Sequence, residues 1–163
     1  MCAVGWVMSA RGIIRGMSDS RRFEYLLARL PHRPPMRLVE RIERFEPGAL
    51  ASASRTAHRD DWYFDGHFPG EPVVPAVVLV ELLAQTGGLA AAGDAAEGGG
   101  AVRMRLAAVG SFKFPAAAGP GAHLVATATV RGRMGPLIRI QGDVTADGRL
   151  VASGSITLAE VRG

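Results

Sequence analysis

Cysteine, lysine and aromatic side chains are scarce in this chain. Its 163 residues contain one cysteine, Cys2, which excludes an internal disulfide framework and any Cys-rich metal site. Lysine occurs once, at Lys113, so 18 of the 19 basic residues are arginine. Ten aromatics leave the core to aliphatic and small side chains, among them 26 alanines, and 21 glycines let backbones approach closely. Those glycines have no three-residue period, which excludes collagen. No Walker loop, G-x-G-x-x-G, H-E-x-x-H or G-x-S-x-G occurs. Gly98 to Gly100 reads as a linker. His32, His58, His67 and His123 lack the paired spacing of metal ligands, so neither a metal nor a cofactor is expected.

No targeting segment is expected. No basic residue precedes the short apolar run of MCAVGWVMSAR, unlike a secretory signal. The longest apolar stretch, Val73 to Gly93, is opened by Pro72 and Pro75, holds Glu81 and is interrupted by Gly87 and Gly88. A buried helix fits it better than a membrane span, because a carboxylate in lipid is costly. A cytoplasmic protein is expected.

What is present fits one ordinary domain. Apolar residues make up 48% and charged residues 21%, a balance that argues against disorder. Residues 1–17 show no period and read as a disordered extension; 18–163 read as a single domain. Residues 1–60 hold 11 arginines against six acids, and residues 61–163 hold eight basic residues against nine acids. A basic N-terminal half suits nucleic acid, anionic lipid or an acidic protein, and equally a solvated arginine surface.

The periodicity predicts an α+β fold. Phe23, Leu26, Leu27 and Leu30 mark a short helix over 20–30, with Ser18 to Ser20 as cap candidates and Pro31 as its stop. LPHRPPM (30–36) reads as extended. Strand-like runs follow at 38–45 and 49–57, around the turn signal Pro47-Gly48. Residues 58–70 read as a loop, and Pro75 opens a helix to about Ala92. The remainder alternates as strands: Val102, Met104 and Leu106; Phe112 and Phe114; Leu124 to Val130; Ile138 and Ile140; and Leu150 to Leu158 after the hairpin signal Asp147-Gly148. The long helix is apolar around nearly its whole circumference. A curved antiparallel sheet wrapped around it would cover it on all sides.

One segment carries candidate chemistry: DGHFPGEPVVPAVVLVELLAQTGG (65–88). His67 lies in a Gly/Pro-bounded loop, and Glu81 lies in the helix among Val77 to Val80, Leu82 and Leu83. A carboxyl in apolar surroundings is expected to favour its protonated form and so to serve as a general acid. An imidazole near it can serve as base. The first turn of the helix offers free N–H groups to a developing oxyanion. Together these are what proton abstraction beside a carbonyl requires. The plainer alternatives are a solvated loop histidine and a helix glutamate held by a structural contact. Gln85, one turn beyond Glu81, can orient its carboxyl or simply join helix to sheet.

These residues resemble the FabZ-type (3R)-hydroxyacyl-acyl-carrier-protein dehydratases, a hot-dog fold family. The resemblance is carried by Gly66-His67-Phe68-Pro69-Gly70, by Pro72 and Pro75, and by Glu81 fourteen residues after His67, followed by Ala84-Gln85. LPHRPPMRLVERI (30–42), FKFPAAAGPGAHL (112–124) and the closing hairpin are similar too. The resemblance implies a hot-dog domain that converts 3-hydroxyacyl thioesters on acyl-carrier protein to 2-enoyl thioesters, in fatty-acid or related lipid or polyketide synthesis. It implies His67 as base at C2 and Glu81 as acid on the 3-hydroxyl, contributed by different subunits of a homodimer or of a larger assembly up to a hexamer. It further implies substrate contacts from Gly66 and from the Ala76 N–H, with Phe68 and Phe112 lining the acyl tunnel, and no nucleic-acid or membrane partner. The family usually has glycine at Ala76 and aspartate at Ala122 and Glu40, and an apolar residue at Arg37. A hot-dog acyl thioesterase and a non-catalytic acyl-binding subunit are the alternatives the same fold allows.

Overall fold

The computed structural model describes residues 18–93 and 103–161. The extension expected over 1–17 and the linker Gly98 to Gly100 lie outside them. The elements in chain order are α1 (Asp19–Ala28), β1 (Arg41–Glu46), β2 (Leu50–Thr56), α2 (Ala76–Ala92), β3 (Met104–Lys113), β4 (His123–Met134), β5 (Leu137–Ala146) and β6 (Arg149–Glu160).

The α1 periodicity does its expected work. Leu26 and Leu30 are buried, and Phe23 and Leu27 pack on the core. The helix ends at Ala28, before Pro31, because the N–H groups of Arg29 and Leu30 turn back to the carbonyls of Leu26 and Leu27. The 30–36 segment is not extended throughout. It turns between Arg33 and Arg37, whose backbone groups bond at 3.0 Å, and the Arg33 guanidinium donates to the carbonyls of Leu30 and His32, each at 2.8 Å.

The six strands form one sheet in the order β1-β2-β4-β5-β6-β3, with each neighbouring pair antiparallel. Gly48 (φ 73°) turns β1 into β2. Asp147 (φ 50°) and Gly148 (φ 82°) make the left-handed pair that a two-residue hairpin needs between β5 and β6. Leu150 falls out of the alternation expected after that hairpin and is exposed, because the β5–β6 register shifts between Val144 and Thr145.

Helix α2 lies across β1, β2, β4, β5 and β6. Leu82, Leu83, Leu89 and Ala90 on the helix, and Leu124, Ala126, Ala128, Ile138 and Ile140 on the sheet, are fully buried. Small residues set the spacing. A Cβ at Gly142 would lie 2.5 Å from Leu83 Cδ1 and 2.4 Å from the Thr127 carbonyl oxygen. The glycine and alanine excess therefore includes the contact surface between helix and sheet.

Two surfaces depart from the expectation of a helix covered all round. Val77, in the first turn of α2, is 74% exposed. Strand β3, at the sheet edge, exposes Leu106 and Val109, so its alternation marks no buried face within the chain. Among the described residues, no helix is long and apolar enough to cross a membrane.

Candidate active site

The loop that carries His67 is anchored at both ends. At its start, the buried Arg55 guanidinium pairs with Asp61, which also accepts from the Tyr63 hydroxyl at 2.7 Å. Burial, then this hydrogen bond, pushes the Tyr63 phenol above its ordinary range. At its end, the Val74 N–H donates to the Ala118 carbonyl at 2.8 Å. Between these anchors the backbone closes on itself. Phe68 and Glu71 exchange two bonds of 3.2 and 3.0 Å, and the Val73 N–H donates to the His67 carbonyl at 3.0 Å.

This closure sets the chemistry of the imidazole. His67 Nδ1 lies 2.9 Å from the Val73 carbonyl oxygen. A carbonyl only accepts, so Nδ1 carries the hydrogen and Nε2 of the neutral ring keeps its lone pair. Phe68 stacks on the ring at a centroid distance of 4.0 Å.

Helix α2 starts at Ala76, where Pro75 supplies the fixed φ of a helix entry. The Pro75 carbonyl accepts from Val78 at 2.9 Å and from Leu79 at 3.3 Å. Helical geometry leaves the N–H groups of Ala76 and Val77 without intrahelical partners. One turn on, the Glu81 side chain is 27% exposed. It is not enclosed by its apolar sequence neighbours, because successive helix residues point to different faces. Gln85 Nε2 donates to Glu81 Oε1 at 2.9 Å and to the Met36 carbonyl at 2.7 Å. The expected Gln85 contact is therefore present, and it also ties α2 to the segment before β1.

His32 was not legible as a neighbour of this site from histidine spacing. Its Nε2 lies 3.5 Å from Glu81 Oε1. The available signal was its place in LPHRPPM; His32 stands 49 positions before Glu81.

Glu81 lines two cavities. The smaller, about 40 Å³, is bounded by His32, Gln85, Gly88 and Leu158 among others. The larger, about 400 Å³, is an apolar groove between Trp62, Val77, Val80, Leu106 and Val109. His67 lines neither, so one chain does not bring His67 and Glu81 to a common wall. Phe68 and Phe112 are absent from the groove as well. Phe68 is exposed beside His67; Phe112 stacks on Phe114 at 5.8 Å and lies over Gly154, where a Cβ would be 2.5 Å from its ring. Gly66 is exposed in the loop before His67.

Known proteins match this chain on both sequence and fold. The FabA-like domain family matches residues 30–155. The chain is 38% identical over 141 residues to a 3-hydroxyacyl-[acyl-carrier-protein] dehydratase FabZ of Herpetosiphon aurantiacus, covering 85% of this chain and 96% of the relative. It is 36% identical over 130 residues to the protein of that name from Streptococcus pneumoniae serotype 4, covering 80% and 91%. Among solved structures it is similar to the dehydratase heterocomplex ApeI:P of Xenorhabdus doucetiae, with a TM-score of 0.69, 16% identity and coverage of 84% and 91%. It is also similar to an HP0420 homologue from Helicobacter felis, with a TM-score of 0.65, 15% identity and coverage of 93% and 97%. The structural likenesses show the fold, an α+β hot-dog. On the sequence match over most of its length, the chain belongs to the FabA-like family and, within it, to the FabZ-type 3-hydroxyacyl-[acyl-carrier-protein] dehydratases.

Proposed function

We propose that this protein dehydrates (3R)-hydroxyacyl thioesters to trans-2-enoyl thioesters on acyl-carrier protein, as a hydro-lyase of fatty-acid or related lipid synthesis. The observation that carries the reading is the His67 tautomer. Its Nδ1–H is spent on the Val73 carbonyl, which leaves Nε2 free to take a proton.

In the reaction, Nε2 of His67 removes the proton from C2. The Ala76 N–H stabilises the charge that develops on the thioester oxygen. The electron pair forms the C2–C3 double bond, the C3–O bond breaks, and Glu81 protonates the departing hydroxyl to give water. Proton return from His67 to Glu81 restores the starting state. Gly66, Phe68 and Phe112 are substrate-side candidates.

The site is shared between subunits. The exposed Val77, Leu106 and Val109 around the Glu81 groove, and the free edge of β3, support a homodimer or a larger assembly up to a hexamer. The second copy would bring its His67 loop to the groove. Exposed Arg103, Arg105 and Lys113 suit an acidic carrier protein, and the compartment is cytoplasmic.

The test is turnover of a 3-hydroxyacyl thioester by purified protein, followed by enoyl ultraviolet absorbance and by free-thiol release. Enoyl formation without thiol release is expected. Thiol release without enoyl formation would make the protein a thioesterase, and acyl binding without turnover would make it a binding subunit.

A further inference from the structure

The surroundings of the Glu81 carboxyl distinguish its two oxygens. Gln85 is 1% exposed, and its amide orientation is determined by what it touches. Oε1 of Gln85 accepts from the N–H groups of Leu38 at 2.9 Å and Val39 at 3.4 Å. Nε2 must therefore be the atom that faces the Met36 carbonyl and Glu81 Oε1, and both its hydrogens are donated there. Glu81 Oε1 is thus an acceptor.

His32 Nε2 approaches the same oxygen at 3.5 Å, and the turn that carries it is clamped by Arg33. His32 Nδ1 is buried with no hydrogen-bond partner. A buried N–H without an acceptor is costlier than a buried lone pair, so the hydrogen of a neutral ring belongs on Nε2, toward Glu81. The distance is long for a hydrogen bond. Contacts of this kind commonly tighten once substrate is bound.

We propose that His32 is a positioning residue for the acid: with Gln85 it presents N–H donors to Glu81 Oε1 and so confines the transferable proton to Oε2. An acid free to carry its proton on either oxygen would spend part of its time in an unproductive form. This inference rests on the reading of Glu81 as the acid.

The test is steady-state dehydration by the purified protein and by the H32F, H32Q and E81Q variants, with the melting temperature of each recorded. H32F keeps a flat ring without a donor, and kcat is expected to fall about tenfold with KM within about twofold, the scale of one lost hydrogen bond. H32Q returns an N–H near the Nε2 position and is expected to recover most of kcat. Wild-type kcat in H32F overturns the proposal. So does H32Q no faster than H32F, which would mean that the ring only packs. E81Q separates the two levels. Its loss of turnover upholds Glu81 as the acid whatever His32 does, whereas wild-type turnover in E81Q removes that assignment, and the role of His32 with it.

Discussion

The buried amide of Gln85 donates to the Glu81 carboxyl at 2.9 Å while its oxygen accepts from the Leu38 N–H at 2.9 Å. One side chain thereby fixes both Glu81 and the segment that leads into β1. Gln85→Leu keeps the volume but leaves the buried Leu38 N–H without its acceptor. Urea unfolding is expected to show a loss of about 2 kcal/mol, and turnover should fall with it. A loss under about 0.5 kcal/mol would mean that the amide is dispensable.

The proposed sharing of the site between subunits makes a second prediction. His67→Ala and Glu81→Ala proteins should each be inactive alone. If subunits exchange freely, an equal mixture should recover about a quarter of wild-type turnover, because half the dimers then hold one intact site of two. No recovery despite proven subunit exchange would place both groups in one chain. Val77→Asp puts a charge into the exposed apolar groove and should lower the assembly state by gel filtration.

Close packing of helix on sheet is tested at Gly142. Gly142→Ala forces a methyl against Leu83 and the Thr127 carbonyl, and should cost about 1–3 kcal/mol. Gly132→Ala, with nothing within 4 Å of the new Cβ, should be close to neutral. Equal effects at the two positions would contradict the account of the glycine content.

Tyr63 sets an alkaline limit. Its folded pKa is raised above the ordinary phenol value of 10.0, so the folded state holds the proton more tightly than the unfolded state does. The stabilisation is complete below that value and is lost as pH rises above it. Tyr63→Phe should flatten this decline between about pH 10 and pH 11 in thermal melts. An unchanged slope would mean that the phenol does not contribute.

Much of this was legible in the chain. Pro75, the apolar run after it and the Asp147-Gly148 pair announce a helix and a hairpin through local chemistry, and both lie where expected. The i, i+4 spacing of Glu81 and Gln85 carried their contact. Other features depend on non-local geometry. Leu150 is turned outward by a bulge at Val151 of its own strand, where two β6 residues are passed for one step on β5, a shift that appears only in the pairing with β5. Leu106 alternates like a core residue in sequence and lies, with Val109, on an open edge. His32 reaches Glu81 only because the 33–37 turn folds back, and the His67 tautomer follows from a carbonyl six residues away across a closed loop.

The most direct test of the central claim is enoyl absorbance from a 3-hydroxyacyl thioester, measured for wild type, His67→Ala and Glu81→Ala at equal folded concentration. The account predicts enoyl formation by wild type and a loss of at least about 100-fold in each variant. Wild-type turnover in either variant, or thiol release by wild type without any enoyl product, would contradict it.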